Sequence, residues 1–301
     1  MTIRGIADIQ TYFAQGNFEY LKDHHASHWF GCDNFEEHHE MIIRLRAEGV
    51  ITDSDIYLNF INIQDAPELD EQPNGGKLGK VFTLLNQFPR DGSLVIENSE
   101  HIWRLANDYS LPLIAAFIES GVQLDHNALL ATTFAGEHDT EFKLFTLLIS
   151  QFPDFSQQAL SATCATVLCC LQHNPEETQY IAVIQTLLER GANLNTCFNN
   201  DTNWSSWHTD YRSLFGAFLQ CNPALLLALP EIAKDYIPTP ELLSAIDWNF
   251  LVCEGEFEQA HADTITALIA RGAVFPVADI IEALEENGYH RYVAELNAYE
   301  K

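Results

Sequence analysis

Histidine, cysteine and acidic side chains are concentrated in residues 24–40 of this chain. Within that cluster, His24, His28 and Cys32 follow one another at intervals of four residues, which would place them on one face of a single helix. Imidazole and thiolate groups are ligands that Zn²⁺ accepts. The cluster has no His-Glu-x-x-His pattern, and Gly31 favours a helix end before Cys32. Two interpretations stay open: a metal site formed by these three residues, or a polar helix start followed by a loop.

The sequence has none of the common motifs that build an active site. Residues 75–80 read Gly-Gly-Lys-Leu-Gly-Lys, but the spacing is too short for a phosphate-binding loop. Val81 also stands where a Ser or Thr would hold Mg²⁺. Neither a Gly-x-Ser-x-Gly turn nor a dinucleotide-binding glycine pattern occurs. The sequence therefore predicts a protein that is not an enzyme and needs no cofactor.

A second segment with chemically distinctive side chains spans residues 197–212 and combines large aromatic groups with charges. Its candidate partner-binding residues are Asp201, Trp204, Trp207, His208, Asp210 and Tyr211. Trp and Tyr are the residue types that dominate binding energy at protein interfaces, and the two carboxylates are suited to Arg or Lys of a partner. The alternative is that the tryptophans fold inward onto the neighbouring part of the protein.

Acidic side chains outnumber basic ones, with 43 Asp and Glu against 15 Lys and Arg, and the formal net charge is −28. A nucleic-acid-binding protein needs a basic surface to displace counterions from phosphates, so this class is excluded. Binding to an anionic membrane is disfavoured for the same reason. A basic protein partner fits the charge, because opposite charges speed association and select the partner. Solubility through mutual repulsion is the alternative interpretation.

The predicted helices that must position these residues show an internal repeat. A sequence motif recurs, called the repeated phrase below, in which an apolar helix end is followed by Gly or Phe-Pro and then by one or two apolar residues. The stops of this phrase are Gly49, Phe88, Gly121, Phe152, Gly191 and Gly272. With one degenerate copy near Pro230, the mean spacing is about 37 residues, a period typical of solenoids built from helix pairs. The glycines are expected in the left-handed conformation that ends a helix.

The clearest copy reads Leu-Leu-Glu-Arg-Gly-Ala-Asn-Leu-Asn at residues 187–195, and it resembles the end of the second helix in the ankyrin-repeat family. Thr239 and Pro240 resemble the start of the family's Thr-Pro-Leu-His signature, which is otherwise missing. The resemblance implies an all-α fold, a helical-repeat solenoid of ankyrin-like helix pairs. Residues 1–40 are predicted to form an N-terminal capping element, and residues 41–301 a single solenoid of about six to seven units. Other helix-pair repeats are the alternative.

These features predict a non-enzymatic protein-binding module that recognises a basic protein, with the 197–212 insertion leaving one face of the solenoid. One specific form is an immunity or inhibitor protein, whose carboxylates replace phosphates in the basic cleft of a toxin or nuclease. Two alternatives are a secreted bacterial effector that acts by protein binding, and a metal-binding protein or enzyme that uses the cluster at residues 24–40.

The cysteines predict a reducing compartment. They are seven in number and include no Cys-x-x-Cys pair, which argues against a disulfide framework and a thiol-redox motif. Cys164, Cys169 and Cys170 lie in an apolar segment and are expected to be small buried side chains. No signal peptide is recognised, and no run reaches about 18 apolar residues. A cytoplasmic location is therefore predicted.

Overall fold

A computed structural model describes residues 3–29, 32–52, 95–96, 111, 114–115, 118, 123–134, 141–176, 178–198, 212–229, 235–254 and 257–299. These residues are predominantly α-helical. Regular strands among them are limited to one parallel pair, β1 (Val95–Ile96) and β2 (Gln123–Leu124). The prediction of an all-α chain is therefore confirmed for the described part of the molecule.

The chain divides into two compact units, Met1–Leu129 with His138–Gln151, and Leu130–Glu137 with Phe152–Lys301. The described helices are, in chain order, α1 (Ile6–Ala14), α2 (Phe18–Asp23), α3 (Cys32–Ala47), α4 (His126–Thr132), α5 (Glu141–Gln151), α6 (Gln157–His173), α7 (Thr178–Glu189), α8 (Leu214–Cys221), α9 (Pro223–Ala228), α10 (Pro240–Ser244), α11 (Trp248–Glu254), α12 (Gln259–Ala270), α13 (Val277–Glu286) and α14 (His290–Leu296). Two short 3-10 helices, Ala26–Trp29 and Asn297–Tyr299, complete the set.

The first unit contains α1, α2, α3 and α5. α1 packs against α2, and Ile9 and Leu21 are the fully buried residues of these two helices. In α3, Ile42 and Leu45 are also fully buried. They are three residues apart and therefore lie on one face of the helix. Apolar residues at helical spacing thus decide which side of each helix faces the core.

In the second unit, three pairs of consecutive helices pack against each other. α6 packs against α7, α8 against α9, and α13 against α14. In addition, α8 lies against α6, α12 against α9, α13 against α11, and α14 against α12. Leu168 in α6, Phe218 in α8 and Leu284 in α13 are fully buried. These helices thus cover apolar stripes of their neighbours, as amphipathic helices of a globular protein do.

Three helices of the second unit begin at a hydroxyl side chain. The oxygens of Ser156, Ser213 and Thr239 accept hydrogen bonds of 3.0–3.3 Å from backbone N–H groups at the starts of α6, α8 and α10. Such caps satisfy donors that the first helical turn leaves without a partner. Pro240 occupies the first position of α10, where no N–H is needed. Thr239 and Pro240 together therefore define the start of α10.

Helices α7 and α12 end in the same way. Gly191 and Gly272 follow them with φ angles of 112° and 105°. The N–H of the residue after each glycine donates to the leucine carbonyl five residues back, at 2.9 and 3.0 Å. These are the hydrogen bonds of a Schellman motif, which completes the last helical turn. The predicted glycine stops are confirmed at both positions, whereas Phe88 and Gly121 lie outside the described residues.

The start of α12 uses a buried histidine. His261 is 3% exposed, and its Nδ1 accepts a hydrogen bond of 3.0 Å from the backbone N–H of Glu258. The ring of Phe257 stacks on the imidazole with 5.0 Å between centroids. Burial lowers the pKa of His261 below its usual value. Because Nδ1 accepts this hydrogen bond, the neutral ring carries its proton on Nε2, and a second proton would remove the acceptor.

We expect His261 to make the second unit less stable at mildly acidic pH. The unfolded chain binds a proton at this side chain below about pH 6.5, whereas the folded chain, with its lowered pKa, resists protonation. The contribution to stability is therefore complete above that pH and decreases as the pH falls towards the folded-state pKa. H261Q keeps an acceptor at this helix position but does not titrate. Its Tm should fall less than that of the wild type on acidification.

The control for this measurement is His290, which is exposed at the start of α14. H290Q removes one histidine without removing a buried one, so its Tm should follow the wild-type dependence on pH. An H261Q protein with the wild-type dependence would show that the buried imidazole does not limit stability in acid.

Candidate functional site

Turns of the second unit meet along one edge. We call it the turn edge and define it as residues 193–198, 212–213, 235–238 and 272–276. The hydroxyl of Tyr236 donates to Asn195 Oδ1 at 2.9 Å and so joins the segment before α10 to the turn after α7. Burial raises the pKa of Tyr236, which keeps this hydroxyl protonated. On the other side, Ile237 Cδ1 lies 4.0 Å from the position that a Cβ on Gly272 would occupy. Segments that are distant in sequence therefore form one continuous edge.

The tips of the turn edge are exposed, and the residues beside them are buried. Val274 is 70% exposed and Ile237 is 46% exposed, although both are apolar. Leu194 and Phe275, which occupy the same position of the repeated phrase, are 5% and 6% exposed. The buried residues anchor each turn on the helices, and the tips are left to contact solvent or a partner.

A buried serine of α6 fixes the turn after α7. Ser161 has no exposed surface, and its Oγ accepts a hydrogen bond from the backbone N–H of Asn193 at 3.0 Å. The same hydroxyl donates to Thr196 Oγ1, also at 3.0 Å. The side chain of Asn193 then accepts the N–H of Asn195 at 2.9 Å, in an Asx turn. The conformation of this part of the turn edge is thus set by side chains as well as by the backbone.

A single antiparallel β-bridge joins the two ends of the 199–211 segment. Cys197 pairs with Ser213 in this bridge, and the N–H of Phe198 donates to the carbonyl of Arg212 at 2.9 Å. Arg212 has a positive φ of 54°, which turns the chain just before α8. The segment predicted as an insertion therefore leaves and rejoins the described chain at adjacent positions of the turn edge.

The six predicted partner-binding side chains lie outside the described residues; they are Asp201, Trp204, Trp207, His208, Asp210 and Tyr211. The structure describes only the two ends of the segment that contains them. The role of these six side chains in binding therefore stays a prediction. Sequence reasoning did not identify Tyr236, Ile237 or Val274. Val274 does carry a signal, because it stands two residues after Gly272 as Asn193 does after Gly191. Tyr236 has no such signal, since its partner Asn195 is distant in the sequence.

His24, His28 and Cys32 do not lie on one continuous helix. Helix α2 ends at Asp23 and α3 begins at Cys32, with a 3-10 helix between them. His25, between the helices, has a positive φ of 51°, which does not belong to a right-handed helix. The interval of four residues therefore does not bring the three side chains onto one face of a continuous helix.

Of these three candidate metal ligands, only the side chain of His24 is among those described. Its ring stacks on Tyr20 with 3.9 Å between centroids, and its Nδ1 lies 2.9 Å from the carbonyl oxygen of Tyr20. Among the described side chains, no three His, Cys, Asp or Glu residues are grouped to hold a metal ion. A metal site that includes His28 and Cys32 stays a prediction.

Helix α13 presents an acidic face to solvent. Asp279, Glu282, Glu285 and Glu286 are all exposed. Residues 272–290 contain no Lys or Arg, so the helix has no basic residue of its own to balance them. Glu282 and Glu286 are four residues apart, a spacing at which like charges destabilise a helix. A raised salt concentration would reduce this repulsion.

Comparisons with protein-family models, with curated proteins and with solved structures found no match for this chain. The resemblance to ankyrin repeats therefore remains a prediction based on the repeated phrase. Among the described helices, none combines the length and the hydrophobicity that a membrane span needs.

Proposed function

We propose that this chain is a non-enzymatic protein-binding module, that its second unit is a stack of ankyrin-like helix pairs, and that the turn edge recognises a basic protein. The β-bridge between Cys197 and Ser213 carries the proposal, because it holds both ends of the 199–211 segment at the turn edge. A cytoplasmic location, expected from the cysteine usage, belongs to the same proposal.

The helix-pair repeat is supported by the way its helices begin, end and pack. Helices α7 and α12 end in equivalent glycine turns, and α6, α8 and α10 begin at hydroxyl caps. The pair α6 and α7 lies against the pair α8 and α9 through α6 and α8, and α12 lies against both α9 and α14. In such a stack each pair buries an apolar face of the next, and the turns collect on one side. An extended edge of this kind is suited to bind another protein.

The side chains of the 199–211 segment suit a protein partner. Trp204 and Trp207 are large anchors of the type that fills pockets at interfaces. Asp201 and Asp210 supply negative charge next to them. The exposed apolar tips of the turn edge add contact area close to the base of the segment. Aromatic anchors surrounded by charge give both affinity and a preferred orientation.

The net charge of −28 indicates the class of partner, a protein with a basic surface. An enzyme that binds phosphate groups has a basic cleft of this kind, and carboxylates can occupy the positions of the phosphates. We therefore propose, as the specific form of this function, an inhibitor of the immunity type that blocks a basic toxin or nuclease.

Charge reversal in the insertion is expected to slow association with the partner. The double variant D201K/D210K replaces two attractive charges with repulsive ones, and we expect at least a tenfold lower association rate at low salt, where steering is strong. The partner is captured from a lysate of the native organism by the immobilised wild-type protein. Association is then measured with that purified partner at low and high salt.

The matched control is D279K/E282K on the exposed face of α13, which changes the net charge by the same amount at another site. This variant should retain most of the wild-type association rate. Equal loss in both double variants would show that only total charge matters. Wild-type association in D201K/D210K, or no captured protein at all, would contradict a binding site at the insertion.

A further inference from the structure

Two cysteine side chains from different helix pairs touch each other in the second unit. The Sγ atoms of Cys169 in α6 and Cys221 in α8 are 3.8 Å apart. Both cysteines are reduced. Cys169 is half-buried and Cys221 is 8% exposed. A disulfide bond needs about 2.05 Å between the sulfurs, so the two atoms must approach by about 1.8 Å.

The helix stack explains why these thiols meet. Ser161 in α6 and Ser213 at the start of α8 both belong to the region of the turn edge. Each of the two cysteines follows its serine by eight residues, which is about 12 Å along a helix. Because α6 and α8 pack side by side, residues at equal distances from the turn edge come to the same level. The contact is therefore built into the packing and sits at the far end of the two helices.

The neighbouring cysteine, Cys170, is directed elsewhere. Its Sγ lies 3.6 Å from the carbonyl oxygen of Phe134. The expectation that Cys164, Cys169 and Cys170 are all buried is confirmed for Cys164, whereas the other two are half-buried. Cys169 is less buried than Cys221, so it is the thiol of the pair that a small oxidant reaches first, and its immediate neighbour Cys170 provides a matched control.

We propose that Cys169 and Cys221 form an intramolecular disulfide bond when the protein meets a hydroperoxide. The sulfur of Cys169 attacks one peroxide oxygen and the O–O bond breaks. This gives a sulfenic acid at Cys169, and the leaving alkoxide takes the thiol proton and departs as an alcohol. The sulfur of Cys221 then attacks the sulfur of Cys169. The S–S bond forms, the S–O bond breaks, and the hydroxide leaves as water with the proton of Cys221.

The two thiols and the hydroperoxide account for every atom and electron of the reaction. Two thiols and one hydroperoxide give one disulfide, one alcohol and one water, and two electrons pass from the sulfurs to the peroxide. With hydrogen peroxide, the alcohol is a second water. The new bond would covalently join α6 to α8 and enclose residues 170–220, which include the 199–211 segment. This modification site is independent of the proposed binding function.

The test uses the full-length reduced protein and hydrogen peroxide. After oxidation, remaining thiols are alkylated, and the protein is digested without reductant and analysed by mass spectrometry. We expect a linked pair of peptides containing Cys169 and Cys221, lighter by two hydrogen atoms than the reduced pair and separated again by dithiothreitol. We also expect oxidation to raise the Tm by about 5–10 °C, because the loop is closed in the unfolded chain.

Three variants make the result specific. C169S and C221S should give neither the linked pair nor the rise in Tm, whereas C170S should give both. Sulfinic acid at Cys169 without a link in the wild type would overturn the proposal. A disulfide through the exposed Cys197 or Cys253, in place of the one between Cys169 and Cys221, would also overturn it. So would loss of the Cys169–Cys221 link in C170S.

Discussion

Replacing Phe215 with alanine is expected to lower the free energy of unfolding of the second unit by about 3–5 kcal/mol, because the neighbours of a buried phenylalanine only partly fill the cavity it leaves. Phe215 lies in α8 with 0% of its surface exposed. Its ring centroid is 5.8 Å from that of Tyr236, and its backbone N–H donates to the carbonyl of Leu194 at 3.0 Å. The residue thus connects the helical core to the turn edge.

The loss is measured by urea unfolding, followed by circular dichroism. Phe250 in α11 provides the control, because it is half-buried and belongs to the same unit. F250A removes the same atoms from a partly exposed site and should therefore cost clearly less. A lower urea concentration at the unfolding midpoint, with an unchanged dependence of the unfolding free energy on urea, would show that F215A alters stability alone. Equal losses in the two variants would contradict the position of Phe215 in the core.

Local patterns were sufficient to predict several helices of the second unit. The apolar spacing predicts helices over residues 159–171 and 277–285, and the structure has them at Gln157–His173 and Val277–Glu286. The stops at Gly191 and Gly272 are equally local, because a positive φ at a helix end is a property of a few neighbouring residues. Such features do not depend on the rest of the fold, so the sequence contains enough information to place them.

The N-terminal histidines show where local reasoning fails. Residues 19–28 have a helical pattern, yet α2 ends at Asp23 and His25 takes a positive φ. No glycine or proline marks this break in the sequence. The ring of His24 stacks on Tyr20, and its Nδ1 meets the carbonyl of the same residue. A side chain that pairs with the backbone in this way offers an alternative to the next helical turn.

The candidate site was predictable only in part. The unusual composition of residues 197–212 marks the insertion, and its bounds agree with the pairing of Cys197 and Ser213. The contact between Tyr236 and Asn195 and the contact between two thiols of α6 and α8 cannot be derived from spacing. Both depend on how whole helix pairs stack, and a stack brings together residues that no short-range period relates.

Replacing Gly191 with valine is expected to lower the free energy of unfolding by about 3 kcal/mol, the upper end for strain at one residue, and the Tm by about 6–12 °C. The φ of 112° at this position is one that a β-branched residue strongly resists. The expected loss of stability does not come from lack of space, because a Cβ at Gly191 would lie at an ordinary distance of 4.0 Å from Leu160 Cδ1. G191A should therefore already show much of the loss.

G272V tests whether the two turns are one repeated structure. Gly272 has a φ of 105°, and a Cβ there would also meet one side-chain atom at 4.0 Å, Cδ1 of Ile237. Equivalent turns should lose equal stability, within about 0.5 kcal/mol. Gly5 is the control, since its φ of 168° is extended backbone with open space around it, and G5V should change the Tm little. Small effects at all three glycines would show that positive φ is not required. Unequal effects at Gly191 and Gly272 would show that the two turns differ. Only large and equal losses of stability at both positions fit repeats that share one geometry.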